Sequence, residues 1–232
     1  HGSLLVGVSE ALGHVRDELA SLIAEVALRF DKKMRVTQSL LVTGARGSGK
    51  QVVAREAHRL LCARRADAPF VDVSALADGI GVKTRPGHFE RAHGGVLLID
   101  EVADLPLAEQ AKLSSLLEER QVTRLGDKAP VAFDALVIAA TNRDLDHLVE
   151  RGELRADLLD RIGRVRVHLP ALGERPEDVL SIAQALLARH AFAEVFALIH
   201  EEISDSDHGG ARFLFIGSVL AEVVFTFADG LL

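Results

Sequence analysis

Five short runs of apolar residues alternate along the chain with longer segments in which apolar residues recur at helical spacing. The runs lie at 39–43, 70–73, 96–99, 136–140 and 165–169. Most of them lack the strict alternation of a half-exposed strand, so the pattern predicts strands buried on both faces. Helical spacing recurs at about 9–29, 49–65, 106–119 and 154–161. We therefore predict an α/β three-layer domain with a parallel five-stranded sheet.

The last part of the chain follows a different pattern. Pro170 and Pro176 interrupt the alternation, and apolar residues then recur at helical spacing from about 177 to 190. We predict two domains, an α/β domain over residues 4–172 and a small helical domain over residues 173–232.

Composition narrows the class of protein. The 232 residues carry a formal charge of −7, with ten Phe and no Tyr or Trp. Such a chain lacks the basic field and the stacking rings of a stand-alone nucleic-acid binder. Its single cysteine, Cys62, excludes an internal disulfide and fits a reducing compartment.

One apolar stretch, residues 213–228, resembles a membrane segment. It is shorter than the roughly 20 residues that a spanning helix needs, and Glu222 lies within it. We therefore expect a buried element, no membrane association and a cytoplasmic location. The first residues, His1 to Ser3, are typical of a tag remnant, which predicts a fragment of a longer protein.

A phosphate-binding loop follows the first predicted strand and precedes a predicted helix. The stretch matches G-x-x-x-x-G-K and consists of Gly44, Ala45, Arg46, Gly47, Ser48, Gly49 and Lys50. Its glycines let successive N–H groups surround phosphates, and the lysine reaches the β- and γ-phosphate oxygens. Gln51 stands where many such loops carry a magnesium-binding Ser or Thr, which predicts a weaker metal site. The alternative is a plain glycine-rich turn.

An acidic pair ends the third predicted strand. Asp100 and Glu101 directly follow an apolar run, about 50 residues after the loop. Asp100 is expected to hold magnesium through water, and Glu101 to polarise the attacking water. By itself such a pair would indicate a solvated strand end, but together with the loop it predicts a nucleotide hydrolysis site for ATP with Mg²⁺.

Several further motifs occur in the order of a known family. The chain resembles the AAA+ domain of sigma-54-dependent transcription activators, the bacterial enhancer-binding proteins, over about residues 7–190. The stretches that carry this resemblance are 7–10, 44–51, 94–101, 106–113, 139–145, 154–162 and 169–178.

The resemblance implies roles that the residues alone do not establish. Asn142 matches the sensor that reads the γ-phosphate, and its alternative is a turn-forming Asn. Arg155 and Arg161 match the arginine fingers that reach a neighbouring subunit's nucleotide, and their alternative is a solvated helix face. The implied working state is a ring of identical chains, commonly a hexamer, in which hydrolysis depends on assembly.

The chain departs from the family between its second and third strands. The family carries there an E-L-F-G-H element and then G-A-F-T-G-A, the loop that grips sigma-54, whereas the stretch from Ser74 to Gly87 contains neither. We therefore expect the usual sigma-54 contact to be absent. Ser74 also replaces an Asn that restrains the catalytic Glu in the family, which predicts a looser switch.

The predicted helical domain departs as well. The family's W-P-G-N-V-R-E-L motif carries a nucleotide-sensing Arg, and the nearest match here is Arg212, without Trp or Pro. Its alternative is a plain surface arginine. Since no helix-turn-helix follows, DNA contact is expected only through a domain outside this fragment.

The sequence thus predicts an ATP-hydrolysing module of a transcription regulator that assembles into a ring. The main alternative is a nucleotide-dependent assembly module with little or no hydrolysis or remodelling. An AAA+ chaperone of the MoxR kind is a third alternative, although the spacing of Arg155 and Arg161 and the segment 106–113 argue against it. A small-molecule kinase ranks last, since nothing in the chain resembles an acceptor-binding lid.

Overall fold

The computed structural model describes residues 3–74, 87–122 and 130–185. The strands in these residues are β1 (Ser39–Gly44), β2 (Phe70–Ser74), β3 (Val96–Asp100), β4 (Gln121–Val122), β5 (Val131–Ala132), β6 (Leu136–Thr141) and β7 (Val165–Leu169). All five strands predicted from the apolar runs are confirmed. The short β4 and β5, which form an antiparallel pair, had no signal in the hydropathy pattern because each has two residues.

Helices connect the strands. They are α1 (Glu10–Asp31), α2 (Lys50–Cys62), α3 (His88–Arg91), α4 (Leu107–Glu119), α5 (Leu145–Glu150) and α6 (Ala156–Ile162), with 3₁₀ turns at Val102–Asp104 and Leu172–Glu174. The four predicted helices are present, although α2 ends three residues early and α6 begins two residues late. The one-turn α3 and the six-residue α5 are too short to show a helical period.

The main sheet has the strand order β2-β3-β6-β1-β7, and all its neighbours are parallel. The strand that carries the phosphate loop, β1, lies between β6 and β7. The strand that ends in the acidic pair, β3, lies beside β6. Because all five strands run in the same direction, the segments that follow β1, β3 and β6 emerge at one edge of the sheet.

Apolar side chains are buried on both faces of this sheet. On β3, Leu97 and Ile99 belong to the cluster that packs with α4, α5 and α6. Val96 and Leu98 belong to the opposite cluster, with α1 and α2. This two-sided burial explains why the strands are continuous apolar runs and confirms the three-layer α/β class.

Capping residues define where two of the helices begin. Ser9 precedes α1 and accepts a hydrogen bond from the N–H of Leu12, and Asp144 precedes α5 and accepts one from the N–H of His147. Such side chains satisfy N–H groups that have no partner within the helix. The cap at Asp144 also fixes the direction in which the chain leaves β6.

The chain divides into two compact units, residues 1–177 and 178–232. Residues 176–185 are helical, as predicted for the start of the helix over 177–190. The predicted helical domain over 173–232 lies mostly outside the described residues and remains a prediction. None of the helices in the described ranges combines the length and apolar composition that crossing a bilayer requires.

Candidate nucleotide site

The loop between β1 and α2 has the backbone that phosphate binding requires. Gly47 and Gly49 adopt positive φ angles of +80° and +104°, which residues with a side chain rarely accept. A Cβ on Gly44 would collide with the carbonyl oxygen of Leu169 on the adjacent β7. The loop therefore depends on its glycines, both for its conformation and for its close contact with the neighbouring strand.

Lys50 is the first residue of α2 and is buried, with 7% of its surface exposed. Its ammonium donates hydrogen bonds to the carbonyl oxygens of Gly44 (3.1 Å) and Ala45 (3.2 Å). A buried cation at a helix N-terminus favours an anionic ligand. The Lys50 ammonium is thus held where a bound phosphate would meet it.

A buried arginine that sequence reasoning did not assign also contacts the loop. Arg175 is 4% exposed, and its Nη2 donates a hydrogen bond of 2.6 Å to the carbonyl oxygen of Ser48. These residues are 127 positions apart, so no local pattern connects them. The only signal in the sequence was the position of Arg175 within a stretch that resembles the family.

The acidic pair lies opposite the loop at the end of β3. The amide of Gln51 donates a hydrogen bond of 2.7 Å to Oδ2 of Asp100, while Oδ1 of Asp100 accepts one from the N–H of Glu101. Glu101 has a left-handed backbone, with φ and ψ both at 51°. A non-glycine residue in this conformation is uncommon and is often found at functional sites.

Negative charge accumulates on this side of the site. Burial and the nearby Asp100 carboxylate raise the pKa of Asp72 on β2, while Arg55 opposes them. The Arg55 and Asp72 side chains lie 4.0 Å apart. A cation placed near Asp100 would relieve this repulsion, which is the electrostatic condition for a divalent metal bound with a nucleotide.

Asn142, the predicted sensor, directly follows β6 and meets the acidic pair. Its N–H donates a hydrogen bond of 3.4 Å to Oε2 of Glu101. The sequence prediction that Asn142 ends a strand beside the Asp100 strand is confirmed.

The predicted residues converge on one cavity of about 620 Å³. Its lining consists of Arg46, Gly47, Gly49, Lys50, Gln51, Val52, Asp100, Glu101, Asp104 and Asn142. This volume lies within the usual range for a small-molecule site. Cationic and N–H donors on the loop side face carboxylates on the β3 side, so these residues fit a nucleoside triphosphate with Mg²⁺.

The two predicted finger arginines lie elsewhere, on a surface that we call the arginine face, formed by Arg155, Arg161 and their partners on α4 and α6. Arg155 binds the Asp157 carboxylate with both Nε (2.9 Å) and Nη2 (3.0 Å). Arg161 contacts Ser114 Oγ (3.1 Å) and Glu118 Oε2 (2.7 Å).

The pairing on this face has a clear electrostatic effect. The hydrogen bonds from Arg155 lower the pKa of Asp157, and the same contact raises the pKa of Arg155. Neither Arg155 nor Arg161 is among the described residues that line the cavity. Arg212, the predicted sensor of the helical domain, lies outside the described residues.

Comparison with known proteins identifies the family. The sequence model of the sigma-54 interaction domain matches residues 17–82 and 77–168, which together span well over half of the chain. The two matches overlap at residues 77–82.

Named relatives agree with this match. The chain is 39% identical to the DNA-binding transcriptional regulator NtrC of Escherichia coli over 188 residues, 72% of this chain and 39% of the relative. It is 35% identical to the transcriptional regulatory protein FlbD of Caulobacter vibrioides over 196 residues, 77% of this chain and 42% of the relative. The chain therefore spans about two fifths of the length of these relatives.

Solved structures show the same fold. The crystal structure of NtrX from Brucella abortus in complex with ATP matches with a TM-score of 0.67 and 32% identity, over 82% of this chain and 44% of that one. The complex of NtrX with ADP matches with a TM-score of 0.63 and 33% identity, over 78% and 40%. On these grounds, the chain belongs to the sigma-54 interaction domain family, the AAA+ domain of sigma-54-dependent transcription activators.

Proposed function

We propose that this chain is the ATP-binding and ATP-hydrolysing AAA+ module of a bacterial transcription regulator. The observation that carries the proposal is the meeting of Lys50, Asp100, Glu101 and Asn142 at a single cavity. They come from three segments at one edge of the sheet, and together they supply the donors, the metal-holding carboxylate and the base that hydrolysis of a phosphoanhydride requires.

The roles follow from the chemistry of each group. The loop N–H groups and Lys50 bind and orient the phosphates, because their charge and direction are fixed before the nucleotide arrives. Magnesium, when bound with the nucleotide, would neutralise the phosphate charge, and Asp100 would hold its water shell. Glu101 accepts a proton from the attacking water, and Asn142 positions Glu101 through the hydrogen bond from its N–H.

Hydrolysis in this proposal needs a second subunit. Arg155 and Arg161 are not among the described residues that line the cavity of their own chain, so we propose that they act on a neighbour's nucleotide within a ring, commonly a hexamer in this family. A guanidinium fork suits the charge of a transferring phosphoryl group. Supplying it from a neighbour makes turnover depend on assembly.

The partners of the whole protein are proposed by analogy with its relatives. Because the named relatives are transcriptional regulators, we propose a cytoplasmic protein that reaches DNA through a domain outside these residues. We also propose that this chain does not make the usual contact with sigma-54, since the sequence between Ser74 and Gly87 carries neither the E-L-F-G-H nor the G-A-F-T-G-A element.

The same missing elements favour a second candidate function. A chain that binds nucleotide but has no gripping loop could serve as an assembly switch with little hydrolysis. Sedimentation with and without ATP, alongside phosphate release, separates the two functions. Nucleotide-dependent assembly without phosphate release would favour the switch.

The proposed hydrolysis is tested by Glu101→Gln. The amide keeps the size of the side chain but cannot take the proton, so we expect phosphate release to fall by about 10²-fold or more while ATP binding is retained. Glu18→Gln, at an exposed carboxylate on α1 outside the cavity, controls for the loss of one charge. Turnover that survives Glu101→Gln would contradict the assignment.

A further inference from the structure

A buried glutamine connects the segment that precedes α4 with the segment that precedes α6. Gln110 on α4 is fully buried. Its Nε2 donates to the carbonyl oxygens of Leu105 (2.8 Å) and Glu153 (2.9 Å), and its Oε1 accepts from the N–H of Arg155 (2.9 Å). Both amide protons and the oxygen are therefore used, and all three bonds go to backbone.

An arginine makes a second, parallel link between the same segments. Arg143 pairs through Nη1 with Asp104 (3.5 Å) and through Nη2 with Glu153 (3.0 Å). Its own N–H donates to Oγ1 of the buried Thr141 at the end of β6. The guanidinium thus bridges two carboxylates from a position next to Asn142.

Both links join the segment at or beside the nucleotide cavity to the segment that leads into the arginine face. Asp104 lines the cavity and Leu105 follows it directly. Glu153 precedes Arg155 by two residues, and α6 begins immediately after. A charge change in the cavity that displaces Asp104 would therefore reach the backbone of Arg155 through two short bridges.

We propose that Gln110 and Arg143 are positioning residues that couple the nucleotide cavity of one subunit to the Arg155 that this subunit presents to its neighbour. Gln110 fixes where the Arg155 backbone lies, and Arg143 transmits the position of the Asp104 carboxylate to Glu153. This inference rests on the proposed function, since it assumes that Arg155 acts in trans.

Mixed assemblies of the 232-residue chain test the coupling. A donor chain carries Glu101→Gln and keeps its fingers, while an acceptor chain carries Arg155→Ala and keeps its hydrolytic residues. The mixture should turn over ATP only at acceptor cavities that are completed by a donor. Adding Gln110→Ala or Arg143→Ala to the donor alone, or to the acceptor alone, then shows which half of the shared site depends on the added change.

We expect an asymmetric result. Either substitution in the donor should lower turnover by about tenfold to 10²-fold, since a misplacement of 1 Å can have that effect, whereas the same substitution in the acceptor should change it by less than about twofold. Lys112→Ala, which removes an exposed ion pair on the same helix, is the matched control and should have no effect in either chain. Equal losses in donor and acceptor would overturn the coupling.

A second measurement does not depend on turnover. Hydrogen exchange of the amides in residues 151–157 should slow when wild-type chain binds ATP, and this response should disappear in the exposed Arg143→Ala variant. If the mixture of the Glu101→Gln donor and the Arg155→Ala acceptor, without a change at Gln110 or Arg143, shows no ATP turnover, the proposed function is contradicted. The hydrogen-exchange response then tests the coupling independently of turnover. An unchanged exchange response in Arg143→Ala would overturn it.

Discussion

The nucleotide cavity and the arginine face treat their charged groups in opposite ways. In the cavity, Lys50 is buried against carbonyl oxygens and the polar groups of three loops point into a common volume. On the arginine face, Arg155 and Arg161 each bind a carboxylate of their own chain. The cavity is thus organised to receive a charged ligand, whereas the arginine face is already neutralised.

This difference fits the proposal that the two regions are halves of one site shared between subunits. A cavity with an oriented lysine and a fixed acidic pair lacks a guanidinium fork from Arg155 or Arg161 of the same chain, and the arginine face holds two such forks. The exposed Arg155–Asp157 pair can exchange partners at small energetic cost, because ion pairs in water contribute little to stability. We therefore expect mutations in the two regions to affect different properties of the protein.

The largest expected effect is on turnover, from Arg155→Ala. Removing an arginine finger should lower the rate of phosphate release by about 10³-fold and leave ATP affinity nearly unchanged, because the side chain lies outside its own cavity. Phosphate-release kinetics and nucleotide titration measure the two quantities. Arg29→Ala, which removes an arginine paired with Glu25 on α1, is the control. A loss of ATP affinity equal to the loss of rate would indicate that Arg155 acts in the cavity of its own chain, and it would contradict the difference between the two regions.

Lys50→Ala should affect binding. In the proposed site the buried ammonium is the charged donor to the phosphates, and a hydrogen bond to a charged group is worth roughly 1.5–3 kcal/mol, or about 10- to 150-fold in affinity. Titration calorimetry with ATP measures the loss. Lys32→Ala, at an exposed lysine after α1, should bind normally. An unchanged ATP affinity in Lys50→Ala would contradict the proposal that this loop binds the phosphates.

A third prediction compares a buried ion pair on α2 with the exposed ion pair of the arginine face. Glu56 on α2 is 3% exposed and accepts hydrogen bonds from Arg59, Ser3 and the N–H of Leu4. Burial opposes ionisation, but these bonds together hold the pKa of Glu56 below its ordinary 4.5. Glu56→Gln should therefore lower the free energy of unfolding by about 1.5–3 kcal/mol at pH 7.

The pH dependence follows from the direction of that shift. A carboxyl whose pKa is lower in the folded state stabilises the fold above its unfolded pKa, and the stabilisation disappears as the pH falls through the folded pKa. The difference between wild type and Glu56→Gln in urea unfolding should hence shrink below pH 4.5. Asp157→Asn on the arginine face should cost less than about 1 kcal/mol at pH 7. Equal losses for the two variants would contradict the contrast.

The sequence predicted the cavity better than the arginine face, for physical reasons. Strands buried on both faces must be apolar throughout, so β1, β3 and β6 were visible as runs, and parallel strands bring the segments that follow them to one edge. The contacts of Gln110 and Arg143 with Glu153, and of Arg175 with Ser48, join residues 10 to 127 positions apart. No period or local motif encodes such contacts, because they depend on how the finished elements pack.

The smallest expected effect concerns the metal side of the cavity, at Gln51. Its amide donates to Asp100 at 2.7 Å, so it neutralises part of the acceptor capacity that would otherwise serve a hydrated cation. Gln51→Glu replaces this donor by a second carboxylate, which cannot donate and which adds negative charge beside Asp100. We expect the affinity for Mn²⁺, measured by electron paramagnetic resonance in the presence of ATP, to rise by a few-fold, on the order of 1 kcal/mol.

Gln38→Glu controls for the added charge, because Gln38 directly precedes β1, does not line the cavity and is bonded to Glu25. Weaker Mn²⁺ binding in Gln51→Glu would mean that the Gln51 amide orients Asp100 for the metal instead of competing with it. The carboxylates of the cavity would then depend on partners from their own chain, as the arginines of the arginine face do.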